Sequence, residues 1–411
     1  MLKIILSPAK KMVVDSDSLE CLGMPPFLDK TEKIKKELQS KSYADLKKLW
    51  GCNDSIATEN VQRLENMNLH RNVTPAILAY DGIAFKYMAP AVFDVQQFEY
   101  IQNHLFILSG FYGVVRPFDG VVPYRLEMQA KLKIDNYKNL YEFWGDRMYN
   151  YIVHNIDGNK RAFFENAKLL TEMFGITPLM YGSLGLEHLT GKNLNADDID
   201  IIIPATFTTD RWREFKTALE ANGYVMTDEH EHTFSKDGRE FSYGQLEELE
   251  HFTGIAAKDI AVYTHNDTAY RLLSLEQYFK VYTQSSKDGY RVNVRQKKDA
   301  EKIAFINSLL KSEEKIDKTV TIINLASEEY SKSISKHVQE GVKLITVTFA
   351  DLINGKLIEK GTKCKMARGE MVRFMAENNI ENPEELKKFN RLNYAFSPEH
   401  TTENNIVFIQ K

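Results

Sequence analysis

The stretch that decides the fold stands at the start of the chain, where residues 2–11 read LKIILSPAKK. The run from Leu2 to Leu6 is mostly apolar and ends at Ser-Pro, which predicts a buried first strand of an α/β protein. The run is too short for a signal peptide, and Lys10 and Lys11 follow it instead of preceding it. We therefore expect a cytoplasmic protein whose first strand ends beside two cations.

The composition is that of an ordinary globular chain. Its 411 residues, 43% hydrophobic and 27% charged, provide enough material for two domains or three. The net charge of −4 is small, so a site for nucleic acid or phosphate must be a local basic patch. Cys21, Cys52 and Cys364 match no disulfide or zinc spacing, which is typical of reduced thiols in a cytosol.

Polar turns near residues 154–159 and 311–315 separate the middle of the chain from its two ends. Between these turns lies a self-contained alternation of helices and strands. Insertion of a domain at polar turns is tolerated, because little backbone hydrogen bonding is disturbed there. We therefore expect an outer domain formed by residues 1–155 and 316–411, interrupted by an inserted domain of residues 156–315.

Local patterns predict several elements. From Lys30 to Leu49 the apolar residues have the spacing of an amphipathic helix, and Leu140–His154 resembles an aromatic-rich helix. Asn103–Val122 predicts a buried strand that runs into glycine-rich loops. In the insert, Asp-Gly at 237–238 between two strand-like runs predicts a β-hairpin.

Six strings outside the insert form a set. They are SPAKKM at 7–12, LSGFYGVVRP at 108–117, PYRLEM at 123–128, LYEFWGD at 140–146, INLASEEY at 323–330 and ARGEMVRF at 367–374. In this order they resemble the YaaA family, also catalogued as DUF328, and the resemblance covers both outer segments nearly end to end. It implies a role in peroxide-stress (oxidative-stress) protection and DNA binding through a basic cleft, with no catalytic residues assigned.

Basic residues beside glycines, prolines or a strand end are the candidates for this cleft, since arginine and lysine suit phosphate. They are Lys10, Lys11, Arg116, Arg125, Lys365, Arg368 and Arg373. The candidates for stacking against bases are Tyr112, Tyr124, Trp144 and Tyr330. The residues alone equally allow ion pairs with Asp119, Glu127, Asp146 and Glu328. The resemblance favours binding.

A second constellation lies in the insert, where Gly182-Ser183 precedes the run ADDIDIII at 196–203. Gly-Ser at a strand-to-helix turn offers N–H groups and a hydroxyl to phosphate. Asp198 and Asp200, two apart on a strand, point the same way and suit a metal site for Mg²⁺. Together these residues resemble the minimal nucleotidyltransferase domain of the polymerase-β superfamily, which implies Mg²⁺ as cofactor and a nucleoside triphosphate as substrate.

One position departs from the superfamily pattern. A third acidic residue usually follows on a later strand, and here Ser242 stands in its place. Glu240 and Glu247 are the candidates to replace it, and Lys298 is a candidate for contact with the triphosphate. The insert is then either a transferase or a domain that binds nucleotide without turnover.

The expected fold class is α/β (α+β). The two chain ends form a YaaA-like domain, and a small nucleotidyltransferase-like domain with a mixed sheet interrupts it.

Overall fold

The computed structural model describes residues 1–15, 17–154, 158–192, 194, 196, 198–265, 267–286, 296–311 and 319–411, with the backbone alone at 154 and 296–299. The chain divides into two compact units. The outer unit comprises residues 1–155 and 319–411, and the insert comprises residues 156–318.

The strands are β1 Leu2–Leu6, β2 Thr74–Pro75, β3 Leu105–Ser109, β4 Gly113–Val115, β5 Gly120–Val121, β6 Leu179–Met180, β7 Ile199–Ile203, β8 Val225–Asp228, β9 Thr233–Lys236, β10 Arg239–Gln245, β11 Ala261–His265, β12 Thr268–Leu272, β13 Val320–Leu325, β14 Val342–Ile353, β15 Lys356–Ile358, β16 Tyr394–Phe396 and β17 Asn405–Gln410. The α-helices are α1 Leu28–Gln39, α2 Tyr43–Trp50, α3 Asp54–Glu65, α4 Ala76–Ala79, α5 Ile83–Met88, α6 Val95–His104, α7 Leu140–Trp144, α8 Arg147–His154, α9 Gly158–Phe174, α10 Gly182–Thr190, α11 Trp212–Ala221, α12 Leu246–Thr253, α13 Leu275–Ser285, α14 Gln296–Lys311, α15 Glu328–Ser335 and α16 Gly361–Glu377.

The outer unit is built on one sheet, in the order β16-β17-β14-β13-β1-β3-β4, with β15 paired to β14. Strands β3, β1, β13, β14 and β17 are mutually parallel, and β1 is buried along its whole length, as its apolar run predicts. Counted in chain order, these five strands are arranged 2-1-3-4-5, the order of a doubly wound sheet. The direction of winding therefore reverses between β1 and β13.

Two predicted helices are each split in two. The amphipathic pattern of Lys30–Leu49 spans α1 and α2, which are separated because the Ser42 side chain caps α2 by accepting the Asp45 N–H. The aromatic-rich stretch Leu140–His154 spans α7 and α8 and breaks at Gly145, where φ is +52°. In both cases the apolar spacing continues across the break, so periodicity alone gave a single helix.

The insert is built on a mixed sheet in the order β11-β12-β6-β7-β10-β9-β8. The hairpin between β9 and β10 turns at Asp237 and Gly238, both with positive φ, as a tight hairpin turn requires. Separate apolar clusters pack on the two sheet faces, Ile201 of β7 belonging to one and Ile202 to the other. The predicted fold class, a mixed α/β protein, is confirmed.

Within the described residues, no helix has the length and apolar character of a membrane span.

Helices α5 and α16 of the outer unit are in backbone contact at Gly369. A Cβ atom built on Gly369 would lie 1.9 Å from the carbonyl oxygen of Ala84, so only glycine fits there. This contact matters for the site, because α5 and α16 both contribute to the cavity described below.

We expect Gly369→Ala to lower the free energy of unfolding by about 1–3 kcal/mol, because the methyl group forces the two helices apart. Gly361→Ala is the matched control, since a Cβ at this position of the same helix meets no atom within 4 Å. Urea unfolding of both variants checks the prediction. Equal midpoints for the two variants would contradict it.

Candidate functional sites

A cavity of about 380 Å³ lies at the carboxyl ends of β1 and β13, where the winding of the outer sheet reverses. Ser7 and Pro8 follow β1 in its wall, and Ser327 follows β13. The Ser7 and Ser327 hydroxyl oxygens are 3.1 Å apart, and Ser7 Oγ also accepts the Ser327 N–H. In doubly wound sheets such a crevice is the usual place for a ligand.

The cavity gathers five of the seven basic residues predicted from the sequence. They are Lys10, Lys11, Arg125, Lys365 and Arg368. The carboxylates that share the wall are Asp81, Glu127 and Glu329. Five cations against three carboxylates leave a formal charge of +2. Four of the five cations are paired. Lys10 Nζ lies 2.8 Å and Arg125 Nη2 lies 3.9 Å from Glu127, Lys11 Nζ lies 2.5 Å from Asp81, and Arg368 Nη2 lies 3.2 Å from Glu359.

Arg125 and Arg368 have donors without acceptors. The Nε atom of each is buried and makes no hydrogen bond to any described residue, although Arg368 Nη2 lies 3.2 Å from Glu359. Lys365, one turn earlier on α16, is exposed and has no ion pair within the described part of the chain. A buried donor without an acceptor costs about 1–3 kcal/mol. The positive charge of these three residues suits an anionic ligand.

Arg116 and Arg373 do not line this cavity, and the prediction that groups them with the other five is corrected. Arg116 is only 4% exposed, and its guanidinium carbon lies 4.8 Å from the centre of the Phe106 ring. Arg373 pairs with Glu377 at 2.7 Å. Five residues separate Arg373 from Arg368, a rotation of about 140° around a helix, so the two side chains leave α16 in different directions.

Of the four aromatic residues predicted to stack against bases, two line the cavity and two do not. Tyr124 and Tyr330 line the cavity. Trp144 is a core residue whose indole N–H donates to the Gly110 carbonyl at 3.0 Å, and the buried Tyr112 hydroxyl accepts the Val122 N–H at 3.1 Å. Tyr112 and Trp144 therefore offer no stacking surface to a ligand.

Glu329 is a cavity residue that the sequence did not single out. Its carboxylate accepts the Gln129 N–H at 3.3 Å. Burial, reinforced by the nearby Glu127 carboxylate, raises the pKa of Glu329 above its ordinary value. The sequence shows only that Glu329 directly follows Glu328 at the start of α15. No local pattern predicts that its side chain is half-buried.

The insert brings its predicted glycine and aspartate into direct contact. Gly182 begins α10 with φ of +60°, and a Cβ atom there would lie 2.0 Å from Oδ2 of Asp200. The Tyr181 N–H donates to the Asp200 carbonyl at 3.0 Å. Ser183 Oγ accepts a hydrogen bond of 2.7 Å from Lys302 Nζ. The strand-to-helix turn thus lies against Asp200, and a lysine of α14 reaches its hydroxyl.

Strand β10 places Ser242 level with Asp200 on the neighbouring strand. Ser242 Oγ is 3.2 Å from Thr233 Oγ1. The exposed Glu240 lies two residues earlier on the same face of β10, so the parallel register sets it level with Asp198. Asp198 directly before β7, Asp200 on β7 and Glu240 on β10 lie towards the same end of the sheet, but among the described residues they do not form a group of three that could hold a metal ion.

The structure does not bring Glu247 next to the two aspartates. Its carboxylate accepts the Ala205 N–H at 2.7 Å, beyond the carboxyl end of β7. Asp200 and Ala205 are five residues apart along an extended chain, which is about 16 Å. Glu247 therefore lies at the opposite end of the sheet from the two aspartates.

A lysine does lie at the strand-to-helix turn of the insert, but it is not the lysine that the sequence predicted. The side chain of Lys298 lies outside the described residues, and Lys302, four residues later on α14, is the lysine seen at Ser183. Lys302 was missed because nothing local links it to a residue 119 positions away.

The donor set at β7 fits Mg²⁺. Asp198 and Asp200 are oxygen ligands, and Mg²⁺ is usually held by one or two carboxylates together with phosphate oxygens and water. No group of three His, Cys, Asp or Glu side chains suited to a metal occurs in the described ranges.

A second cavity, of about 620 Å³, opens on the same face of the insert sheet. Ile202 and Gly244, each two residues beyond Asp200 or Ser242, form its floor, and Tyr181 forms part of its wall. Glu248 and His251 stand on its α12 side. Glu247 also lines this cavity, whereas neither Asp198 nor Asp200 does.

The family described as peroxide stress protein YaaA matches residues 2–167 and 269–400. A UPF0246 protein of Agathobacter rectalis is 34% identical over 410 residues, covering 100% of this chain and 99% of that protein. A UPF0246 protein of Pediococcus pentosaceus is 32% identical and covers 100% and 98%. Both alignments run through the insert, so these relatives share it.

A solved nucleotidyltransferase-like protein of Paracoccidioides brasiliensis is 15% identical and covers 44% of this chain and 88% of its own. Its TM-score is 0.29, which is too low to carry an argument.

The raised pKa of Glu329 gives a pH-dependent stability. The folded protein holds this proton more tightly than the unfolded chain, so the contribution is fully present below the unfolded pKa of 4.5 and is lost as pH rises through the folded pKa. Glu329→Gln removes the titrating carboxyl group, so the variant does not lose this stability as pH rises. We expect the melting temperature of the variant to exceed that of the unsubstituted protein more at about pH 8 than at about pH 4.

The matched control is Glu328→Gln, which removes one charge at the exposed neighbouring position. A pH-independent difference for Glu329→Gln, or the same pH dependence for both variants, would show that Glu329 does not titrate as described.

Proposed function

The chain belongs to the peroxide stress protein YaaA family, and from this premise we propose that it is a stress protein with two activities. The insert transfers a nucleotidyl group from a nucleoside triphosphate in the presence of Mg²⁺. The outer unit binds nucleic acid through its basic cavity. The observation that carries the transferase proposal is the contact of Gly182 with the Asp200 carboxylate, beside the Lys302–Ser183 hydrogen bond.

Each residue of the insert site has a role in this reaction. Asp198 and Asp200 would hold a metal ion, which would neutralise charge on the triphosphate. The free N–H groups of the first turn of α10 and the Ser183 hydroxyl face phosphate oxygens. Lys302 supplies a positive charge at that hydroxyl. The acceptor forms a bond to the α-phosphorus as pyrophosphate leaves.

A nucleotide sensor without turnover is the second candidate, and Ser242 favours it. A serine level with Asp200 neither binds a metal ion nor accepts a proton as a carboxylate does. Glu240 is the carboxylate on this face that compensates in an active enzyme. The two candidates differ in turnover and share nucleotide binding.

We expect Asp198→Asn and Asp200→Asn each to reduce label transfer from a labelled nucleoside triphosphate by about a hundredfold or more, because several kcal/mol of charge stabilisation is lost. The assay uses the full chain, Mg²⁺ and a panel of acceptors. Glu220→Gln is the control, since that exposed carboxylate of α11 lines neither cavity.

Transfer that persists in both aspartate variants would refute the assignment of these residues. Nucleotide binding without transfer to any acceptor would favour the sensor instead.

The nucleic-acid proposal rests on the cavity. A chain with a net charge of −4 concentrates five cations there, against three carboxylates. Lys365 is exposed and without an ion pair among the described residues, so it is available to a phosphate. Phosphate contacts of this kind release counterions and make binding dependent on salt.

Lys365→Glu is expected to weaken DNA binding and to reduce the slope of log affinity against log salt by about one. Fluorescence polarisation of labelled DNA over a salt series measures both quantities. Arg373→Glu, on the same helix but outside the cavity, is the control for the change in net charge. Equal effects of the two variants would refute binding at the cavity.

A further inference from the structure

We propose that the cavity of the outer unit encloses a single nucleotide unit, a phosphate with its sugar and base. This inference rests on the proposed nucleic-acid binding and specifies what enters the site. A volume of about 380 Å³ belongs to the range of small-molecule pockets. A double helix, whose major groove alone is about 12 Å wide, does not fit inside.

The wall of the cavity is divided between charge and apolar surface. The cations already described form one part of it. The apolar part comprises Leu6, Pro8, Ala9, Ile83, Phe85 and Leu126. An inorganic phosphate ion would use only the cations, whereas a nucleotide places its phosphate on the cations and its base against the apolar surface.

The two arginines are suited to the phosphate. Arg125 and Arg368 each retain a buried Nε donor with no acceptor in the described part of the protein. A guanidinium group binds phosphate through its N–H groups, and here the Nη nitrogens must supply them, because each Nε atom is closed to solvent. Lys365 adds a third charge from the same helix as Arg368.

Polar groups between the two parts suit the edge of a base. The Ser7 and Ser327 hydroxyls, already hydrogen-bonded to each other, and the half-buried Glu329 carboxylate line the same space. Hydroxyls donate and accept, and a carboxylate accepts, so they match the mixed donors and acceptors of a base edge.

Two kinds of ligand could place a phosphate, a sugar and a base in the cavity. One is a free nucleoside monophosphate. The other is a nucleotide swung out of a DNA strand, which costs a few kcal/mol of unstacking and least where pairing is already lost.

The test is calorimetric titration of the full chain with adenosine monophosphate, adenosine and inorganic phosphate. We expect the monophosphate to bind more tightly than either part alone. Arg368→Met should weaken its binding about ten- to a hundredfold, the value of a hydrogen bond to a charged group. Lys365→Met is the second variant, chosen because an exposed side chain is not needed for folding. Arg373→Met, on the same helix, should leave affinity unchanged.

A duplex with 2-aminopurine opposite an abasic site distinguishes the sources. A rise in fluorescence on binding, suppressed by adenosine monophosphate, identifies an extrahelical nucleotide, while tight monophosphate binding without that rise identifies the free nucleotide. Both results support an enclosed nucleotide unit.

Absence of monophosphate binding and of its competition with DNA would overturn the inference, as would equal losses in Arg368→Met and Arg373→Met. If salt-dependent DNA binding persists in that case, only this inference fails. If DNA binding is absent too, the proposed nucleic-acid function fails with it.

Discussion

The parallel pairing of β1 with β13 is the contact on which the outer unit depends. It joins Leu2 to Thr321 and continues through Leu6 and Leu325, so the two ends of the chain meet in the middle of one sheet. This pairing creates the reversal of winding, and the reversal creates the cavity. The insert can lie within the connection because the entropy of closing a loop grows only slowly with its length.

Two of the three cysteines are poorly suited to react with peroxide. Burial raises the pKa of the Cys21 and Cys364 thiols, and the Asp119 carboxylate adds to the effect at Cys21. Peroxide oxidises the thiolate form, which a raised pKa makes scarce at neutral pH. The binding of nucleic acid or nucleotide that we propose for Arg125, Arg368 and Lys365 does not depend on these thiols.

The sequence predicted the fold class, the family and the relations between residues that lie close together in the chain. Gly182, Ser183, Asp198 and Asp200 were singled out because side-chain period and turn chemistry depend on neighbours in the chain.

The direction in which a side chain points could not be predicted. Arg116 precedes Pro117 and Arg125 follows Tyr124, yet Arg116 is buried over the Phe106 ring and Arg125 lines the cavity. Lys302 and Glu329 carry no local signal, because contact and burial from distant segments give them their roles. Glu247 was misplaced because a sequence does not show at which end of a sheet a carboxylate finds its donor.

The position of β13 in the chain also sets an order of events during synthesis. Strand β1 leaves the ribosome first, but its neighbour on one side is made only after the whole insert. At about 5–20 residues per second, β1 waits roughly 15–60 s for Thr321, while the insert is complete before β13 exists. Until β13 is made, the apolar strand β1 therefore has one unpaired edge, with β3 on the other side. A chain that ends before α16 also lacks Lys365 and Arg368 from the wall of the cavity.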